Sequence, residues 1–240
     1  MPGWRLGGLT TPIVGPEPEY WFEADYAVVV DPILGVTDMD DRTSHARNVG
    51  ASLVGFPVFV PSGINGLPSF RTSESRMVYT GANVFAQGDP RSVINVCRPL
   101  AEFGNVGGYL TSFRRSDRDF ALGLYNPTAT PTQQFVYTNC VDAGNNIRIT
   151  PSIDFAGQDL LLVHEFDGVN LTTTINGVVM TVDQSVTGDE DGVDTGFSIF
   201  GIPCSNPAGW RGLWSAQICF NTPTAPDTFK AYCSTKYGVG

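Results

Sequence analysis

The stretch DLLLVHEFDGVNLTTTINGVVMTVDQ, residues 159–184, decides the fold. It holds three apolar, β-branched runs, 160–166, 170–175 and 178–182, separated by Asp167-Gly168 and Asn176-Gly177. Each dipeptide tolerates positive φ, and mirror-image turns of that kind match the right-handed twist of paired strands. The segment therefore predicts a three-stranded antiparallel meander with two tight turns.

The same pattern continues on both sides. YWFEADYAVVV, SVINVCRPL, DFALGLYN, FVYTNCV, IRITPSIDF and FSIFGI are short apolar or alternating runs. Gly, Pro, Asn and Asp punctuate them. Many short strands with such turns predict an all-β sandwich of two antiparallel sheets. One helix is expected, at the C-terminus, in TAPDTFKAYCSTKYG. Thr224 is placed as its N-cap, Pro226 in the first turn and Asp227 at the third helical position. Phe229, Tyr232, Cys233 and Tyr237 form one stripe that would pack on a sheet. Lys236 suits the last turn, and Gly238 the stop.

Composition narrows the function. Fourteen basic against 24 acidic side chains give a net charge of 14 − 24 = −10. That balance removes a broad basic face for nucleic acid. No apolar run approaches the roughly 20 residues of a membrane helix. The opening residues lack the continuous apolar core of a secretory signal, which implies a protein made and kept in a cytosol, or released by lysis. Cys97, Cys140, Cys204, Cys219 and Cys233 are odd in number and contain no CxxC pair, so they read as buried reduced thiols. His45 and His164 are isolated and outline no zinc site. Residues 1–19 carry Pro2, Pro12, Pro16 and Pro18 and read as an extended arm, with residues 20–240 forming the domain.

Five segments, in order, resemble the concanavalin-A-like, laminin-G-like jelly-roll domains of bacterial surface and phage virion proteins. The family opening W-x-[DE]-A-[DS] is matched by Trp21, Glu23, Ala24 and Asp25. A W-x-D-x-S stretch is matched by Met39, Asp41 and Thr43, with methionine in place of tryptophan. The P-x-x-x-x-x-I-N-G-x-P segment is Pro61, Ile64, Asn65, Gly66 and Pro68. The DG and NG hairpins follow at 167–168 and 176–177. A closing apolar strand, 214–220, leads to Tyr232, Lys236, Tyr237 and Gly238 in the pattern Y-x-x-x-K-Y-G. RTSES, residues 71–75, stands where the family often has R-F-D-G.

Catalysis finds little footing. Glycosidases on this fold use paired carboxylates on one strand, often E-x-D-x-x-E. Glu23 and Asp25 supply half of that, but Val28 takes the last place. His164 lies mid-strand and reads as a satisfied structural histidine rather than a base. No catalytic residue is assigned and no cofactor is expected. Calcium would suit Asp189, Asp191 and Asp194 (with Glu190 beside them), or Asp38, Asp40 and Asp41. A solvated acidic loop is the favoured reading of either group. A sugar platform would use Trp210 with Asp191, whereas Trp214 reads as core. The charge-alternating FRRSDRDF, with Arg114, Arg115 and Arg118, reads as an exposed hairpin or a docking edge.

The resemblance implies a non-enzymatic virion structural protein that decorates a capsid. Its arm would anchor to a capsid or other virion protein through Trp4, Leu6, Leu9 and Ile13. It would be present as a homo-oligomer or in many copies on a lattice. The alternative is a carbohydrate-binding module, on a tail fibre or free, holding a host glycan. Neither reading involves a membrane or nucleic acid.

Overall fold

The computed structural model describes residues 4–5, 13–51, 55–73, 75, 77–81, 84–85, 89–100, 108–112, 121–125, 135–139, 146–149, 155, 157–168, 170–180, 197–199 and 211–240. Among these, strands form two antiparallel sheets and a single helix lies at the C-terminus. The expected all-β sandwich is what the chain builds.

One sheet runs, neighbour to neighbour, through Trp4–Arg5, Val28–Asp31, Gly35–Met39, Val49–Ala51, Met77–Tyr79, Phe197–Ile199, Gly108–Ser112, Ala121–Tyr125, Phe135–Asn139 and Asn146–Ile149. The other runs through Val178–Val179, Leu171–Ile175, Leu160–Phe166, Arg91–Pro99, Arg211–Phe220, Ser69–Ser73 and Val58–Val60. Tyr20–Glu23 pairs with the second half of Arg211–Phe220, and Ser69–Ser73 with its first half. The run YWFEADYAVVV is therefore two strands in two sheets. It turns the corner at 24–27, where Ala27 takes φ 44°.

The meander forms as its sequence demands, with two corrections. Ile175 pairs with Val178, so Asn176 and Gly177 make a two-residue turn, at φ 47° and 79°. The second strand begins at Leu171, paired with Phe166, and inside that pair the Asp167 amide bonds Asn170 O at 3.1 Å while Asp167 Oδ1 accepts the Asn170 amide at 2.6 Å. The third strand spans Val178–Val179, and residues 181–182 lie outside the described part.

Alternation sorts the side chains into two cores. Between the sheets lie Tyr20, Phe22, Met39, Phe70, Met77, Cys97, Leu160, Leu162, Phe166, Phe197 and Trp214, among others. Met39 is fully buried there, so it fills the core where the family pattern has tryptophan. Trp214 is core, as expected. On the far side of the second sheet, Trp21, Ile94, Val96, Leu161, Val163, Ile218 and Phe220 pack against the helix Asp227–Tyr237. Arg91–Pro99 is thus buried on both faces, which is why Val93 and Cys97 are apolar toward one core and Ile94 and Val96 toward the other.

The helix presents Phe229, Cys233 and Tyr237 as buried residues, with Tyr232 half-buried beside them. It ends at Gly238, in the left-handed region at φ 63°, whose N–H bonds Ser234 O. Its start differs from expectation. The N-cap is Pro226, with no side-chain cap, and Asp227 is the first helical residue. Thr224 does not cap. Glu165 reaches up from the sheet instead, accepting the Ala225 amide at 3.0 Å, where a carboxylate also complements the helix dipole. No helix among the described residues is long and apolar enough to cross a membrane.

Candidate functional site

The sequence motifs converge under the helix. Glu23 faces the helix and is fully buried. Its Oε1 accepts from Tyr232 Oη at 2.8 Å, Lys236 Nζ at 2.9 Å and Tyr237 Oη at 2.9 Å. Arg42 pairs with its other oxygen. Lys236 also bonds Asp25 Oδ1 at 3.1 Å. The Arg42 guanidinium lies 3.9 Å from the Trp21 ring centroid and 4.9 Å from that of Tyr26. Phe229 and Tyr232 meet the Trp21 ring edge-on. Burial, and then the Asp25 charge, hold the Tyr237 phenol well above its ordinary pKa. Two cations and two carboxylates balance here, so the buried charge is compensated.

The other motif residues serve the same lock. Asp41 Oδ1 accepts the amides of Trp21 and Thr43, and its Oδ2 accepts Thr43 Oγ1 and the Arg47 amide. Asn65, at φ 49°, donates to the Lys236 carbonyl, so the I-N-G turn caps the helix C-terminus. Ile64 is buried beneath it. Trp21, Glu23, Asp25, Asp41, Asn65, Tyr232, Lys236 and Tyr237 are therefore bonded into a structural clasp. Glu23 and Asp25 do not face an open groove as half of a glycosidase triad would.

His164 is a buried mid-strand residue, as read. It is 1 % exposed and faces the inter-sheet core, with Nδ1 2.9 Å from Thr173 Oγ1. Its Nε2 has no partner among the described residues. Burial drives its pKa down to about 3, which keeps it neutral. Cys97, Cys219 and Cys233 are free and buried, as expected, and burial raises each thiol, Cys233 to about 12. Cys140 and Cys204 lie outside the described residues.

The helix covers the outer face of the second sheet, and on the outer face of the first sheet the described residues include an exposed carboxylate, Asp38. Val36 and Met39 both point inward although three residues apart. A bulge against Val29 and Val30 accommodates this spacing and turns Asp38 outward, where it is exposed. Register then draws a row across the sheet. Arg5, Val29, Asp38, Gly50 and Val78 are successive neighbours. The row continues through the positions of Ser198, Ser112, Ala121, Asn139 and Asn146. A Cβ on Gly50 would sit 3.5 Å from Asp38 Oδ1, an ordinary contact, so the glycine leaves an open step beside a carboxylate. An open glycine step beside an exposed carboxylate can seat a flat polar ligand such as a sugar ring.

The calcium reading of Asp38, Asp40 and Asp41 separates in space. Asp38 is exposed on the sheet, whereas Asp41 is 7 % exposed and its four bonds come from protein donors. Among the described residues, no group of three or more His, Cys, Asp or Glu is placed to hold a metal. Asp189, Glu190, Asp191, Asp194 and Trp210 lie outside the described residues, as do Leu6, Leu9, Arg114, Arg115 and Arg118. Trp4 lies in a two-residue strand on the edge of the first sheet, opposite Val30. Ile13 packs, half-buried, against the core beneath the helix. Arg42 and Glu165 were missed, because partners 190 and 60 residues away leave no local signal.

The sequence matches no protein-family model and no curated protein. Solved structures match the fold. Domain 4 of AbnA, a GH43 extracellular arabinanase from Geobacillus stearothermophilus, in complex with arabinotriose, is 14 % identical at TM-score 0.56, covering 80 % of this chain and 91 % of that one. Trypanosoma rangeli sialidase in complex with sialic acid is 12 % identical at TM-score 0.60, covering 90 % of this chain and 33 % of that one. The binding domain of Paraclostridial Mosquitocidal Protein 1 is 9 % identical at TM-score 0.63, with 92 % and 52 % covered. The chain thus spans about a third of the sialidase and half of the mosquitocidal domain. What is shared at such identities is the β-sandwich fold.

Proposed function

We propose that this chain is a non-enzymatic carbohydrate-binding domain of the concanavalin-A-like type. The glycan lies on the outer face of the ten-stranded sheet, across Val29, Asp38, Gly50 and Val78. The observation that carries this reading is the asymmetry of the two outer faces. The clasp and helix close one, and the other holds an exposed carboxylate beside a glycine step. Support comes from the arabinanase domain, which is similar over nearly its whole length and whose structure contains arabinotriose. Asp38 would accept sugar hydroxyls, and Gly50 would admit the ring against the sheet.

A glycan array that includes arabino- and sialo-oligosaccharides tests the idea, followed by Asp38→Ala and Gly50→Phe. Binding to at least one glycan class is expected, with a tenfold or greater loss in both variants and unchanged thermal unfolding. No binding to any glycan, or binding indifferent to both changes, would sink it.

Capsid decoration through the arm is the second reading. What favours it is that the arm occupies a sheet edge by backbone pairing, a mode also open to a partner's edge. Gold-labelled antibody on particles from a source lysate tests it. Label spread over particle heads is the expected result, and particles without label would remove the idea.

A further inference from the structure

The N-terminal strand points to a second interaction, independent of the glycan reading. Trp4–Arg5 joins the ten-stranded sheet through two register pairs, Trp4 with Val30 and Arg5 with Val29. Residues 13–19, in contrast, are held firmly on their own domain. Ile13 packs on the helix-side core and Pro18 is buried. Glu17 accepts the Ser44 amide at 2.6 Å, the Glu19 amide bonds Cys219 O at 2.7 Å, and Glu19 pairs with Arg47 at 2.7 Å. Seven residues, 6–12, join the two parts, and a chain of that length spans at most about 25 Å.

The strand beneath, Val28–Asp31, carries three consecutive valines. Without Trp4–Arg5 it is an open edge, the kind that templates pairing with another chain. Beside it, the hairpin tip exposes Ile33 at 82 % and Leu34 at 50 %. Val58, at 55 % exposure, opens the edge strand of the second sheet, and the Val36 amide bonds Pro57 O to bring that edge alongside. Both sheets thus end at one apolar corner.

We propose that Trp4–Arg5 is exchanged between copies of this chain, so that each copy's arm completes the Val28–Asp31 edge of another. The occupant is a second copy because its arm carries the residues and register that this edge already accepts. Exchange replaces each contact by an identical one, so it costs little beyond association. It brings two apolar corners together and covers Ile33, Leu34 and Val58. Reciprocal exchange gives a dimer and head-to-tail exchange a chain. Either form would display several outer sheet faces at once and raise avidity for a repeated ligand.

Two full-length variants, Arg5→Cys and Val29→Cys, carry different tags and are mixed, concentrated and oxidised. Exchange predicts a disulfide-linked heterodimer that grows with concentration and is absent from either variant alone. The double variant Arg5→Cys/Val29→Cys should then form linked dimers at high concentration and internally closed monomer at low concentration. A double variant that closes only within one chain at every concentration, with no heterodimer in the mixture, would overturn the proposal. Equal linkage by single variants alone would overturn it too, since register pairing would not be the cause. A glycan array says nothing about either outcome, so the two readings fail separately.

Discussion

The two outer faces of the sandwich differ in nearly every respect. Beneath the helix the motif residues are tied to one another, and Trp21, Glu23, Asp41 and Tyr237 are buried. Glu23 receives four donors, Trp21 is stacked by Arg42 and edged by two rings, and Asn65 caps the helix end. On the opposite face, the row from Val29 to Val78 has no motif and a single exposed carboxylate. The lesson is that a distinctive sequence pattern marks where a structure is over-determined. A binding face needs only shape and a few placed polar groups, and these leave little pattern.

That contrast can be broken first at Glu23. Glu23→Ala leaves Arg42 and Lys236 buried without a full counter-charge, and should lower unfolding free energy by about 3–5 kcal/mol. Urea denaturation followed by Trp fluorescence measures it. A loss below 1 kcal/mol would show that the clasp is not the core of the helix-side face.

His164 sharpens the comparison from inside the sandwich. Its folded pKa is about 3, below the ordinary 6.5, so the unfolded chain binds the extra proton first. Stability from this group is therefore full above pH 6.5 and is lost as pH falls toward 3, by an amount on the order of a few kcal/mol. The double change His164→Leu/Thr173→Val removes ring and partner together. It should flatten the acid limb of the stability curve between those pH values. An unchanged limb would place the acid sensitivity elsewhere.

The bare face should respond oppositely. Asp38→Ala should cost at least tenfold in glycan affinity, about 1.4 kcal/mol, with a negligible change in stability. Calorimetric titration beside thermal unfolding separates the two effects. The smallest effect is expected at the helix end. Gly238→Ala adds a Cβ at φ 63°, 3.3 Å from the Asn65 side chain, and should destabilise by about 1 kcal/mol. A stabilising result would mean that the I-N-G turn does not hold the helix terminus.

Much of the fold was legible from local rules. The strand Leu160–Phe166 falls where its pattern begins and ends, and the Asn176-Gly177 turn takes the positive φ values its residues allow. The helix stripe packs as its spacing predicts. The second meander strand begins one residue later than read, at Leu171, because the Asn170 amide goes to the Asp167 side chain rather than to the ladder. Thr224 was read as a cap by position, but the carboxylate that serves the helix start, Glu165, comes from the sheet. The site was hardly legible. Asp38, Asp40 and Asp41 look like one cluster along the chain, and a bulge sends the first outward while a loop draws the last inward.

By itself the sequence determined the strand periodicity, the Asn-Gly turn, the helix and its stop, and the acidic net charge. These rest on interactions within a few residues, where φ preference and side-chain alternation act directly. The tertiary structure decided which sheet each strand joins, that the motifs form a clasp, and which outer face the helix covers. Those outcomes depend on partners up to about 200 residues apart, such as Tyr232 and Lys236 on Glu23. Their energy appears only when burial removes water from the charges, and no local stretch of chain encodes it.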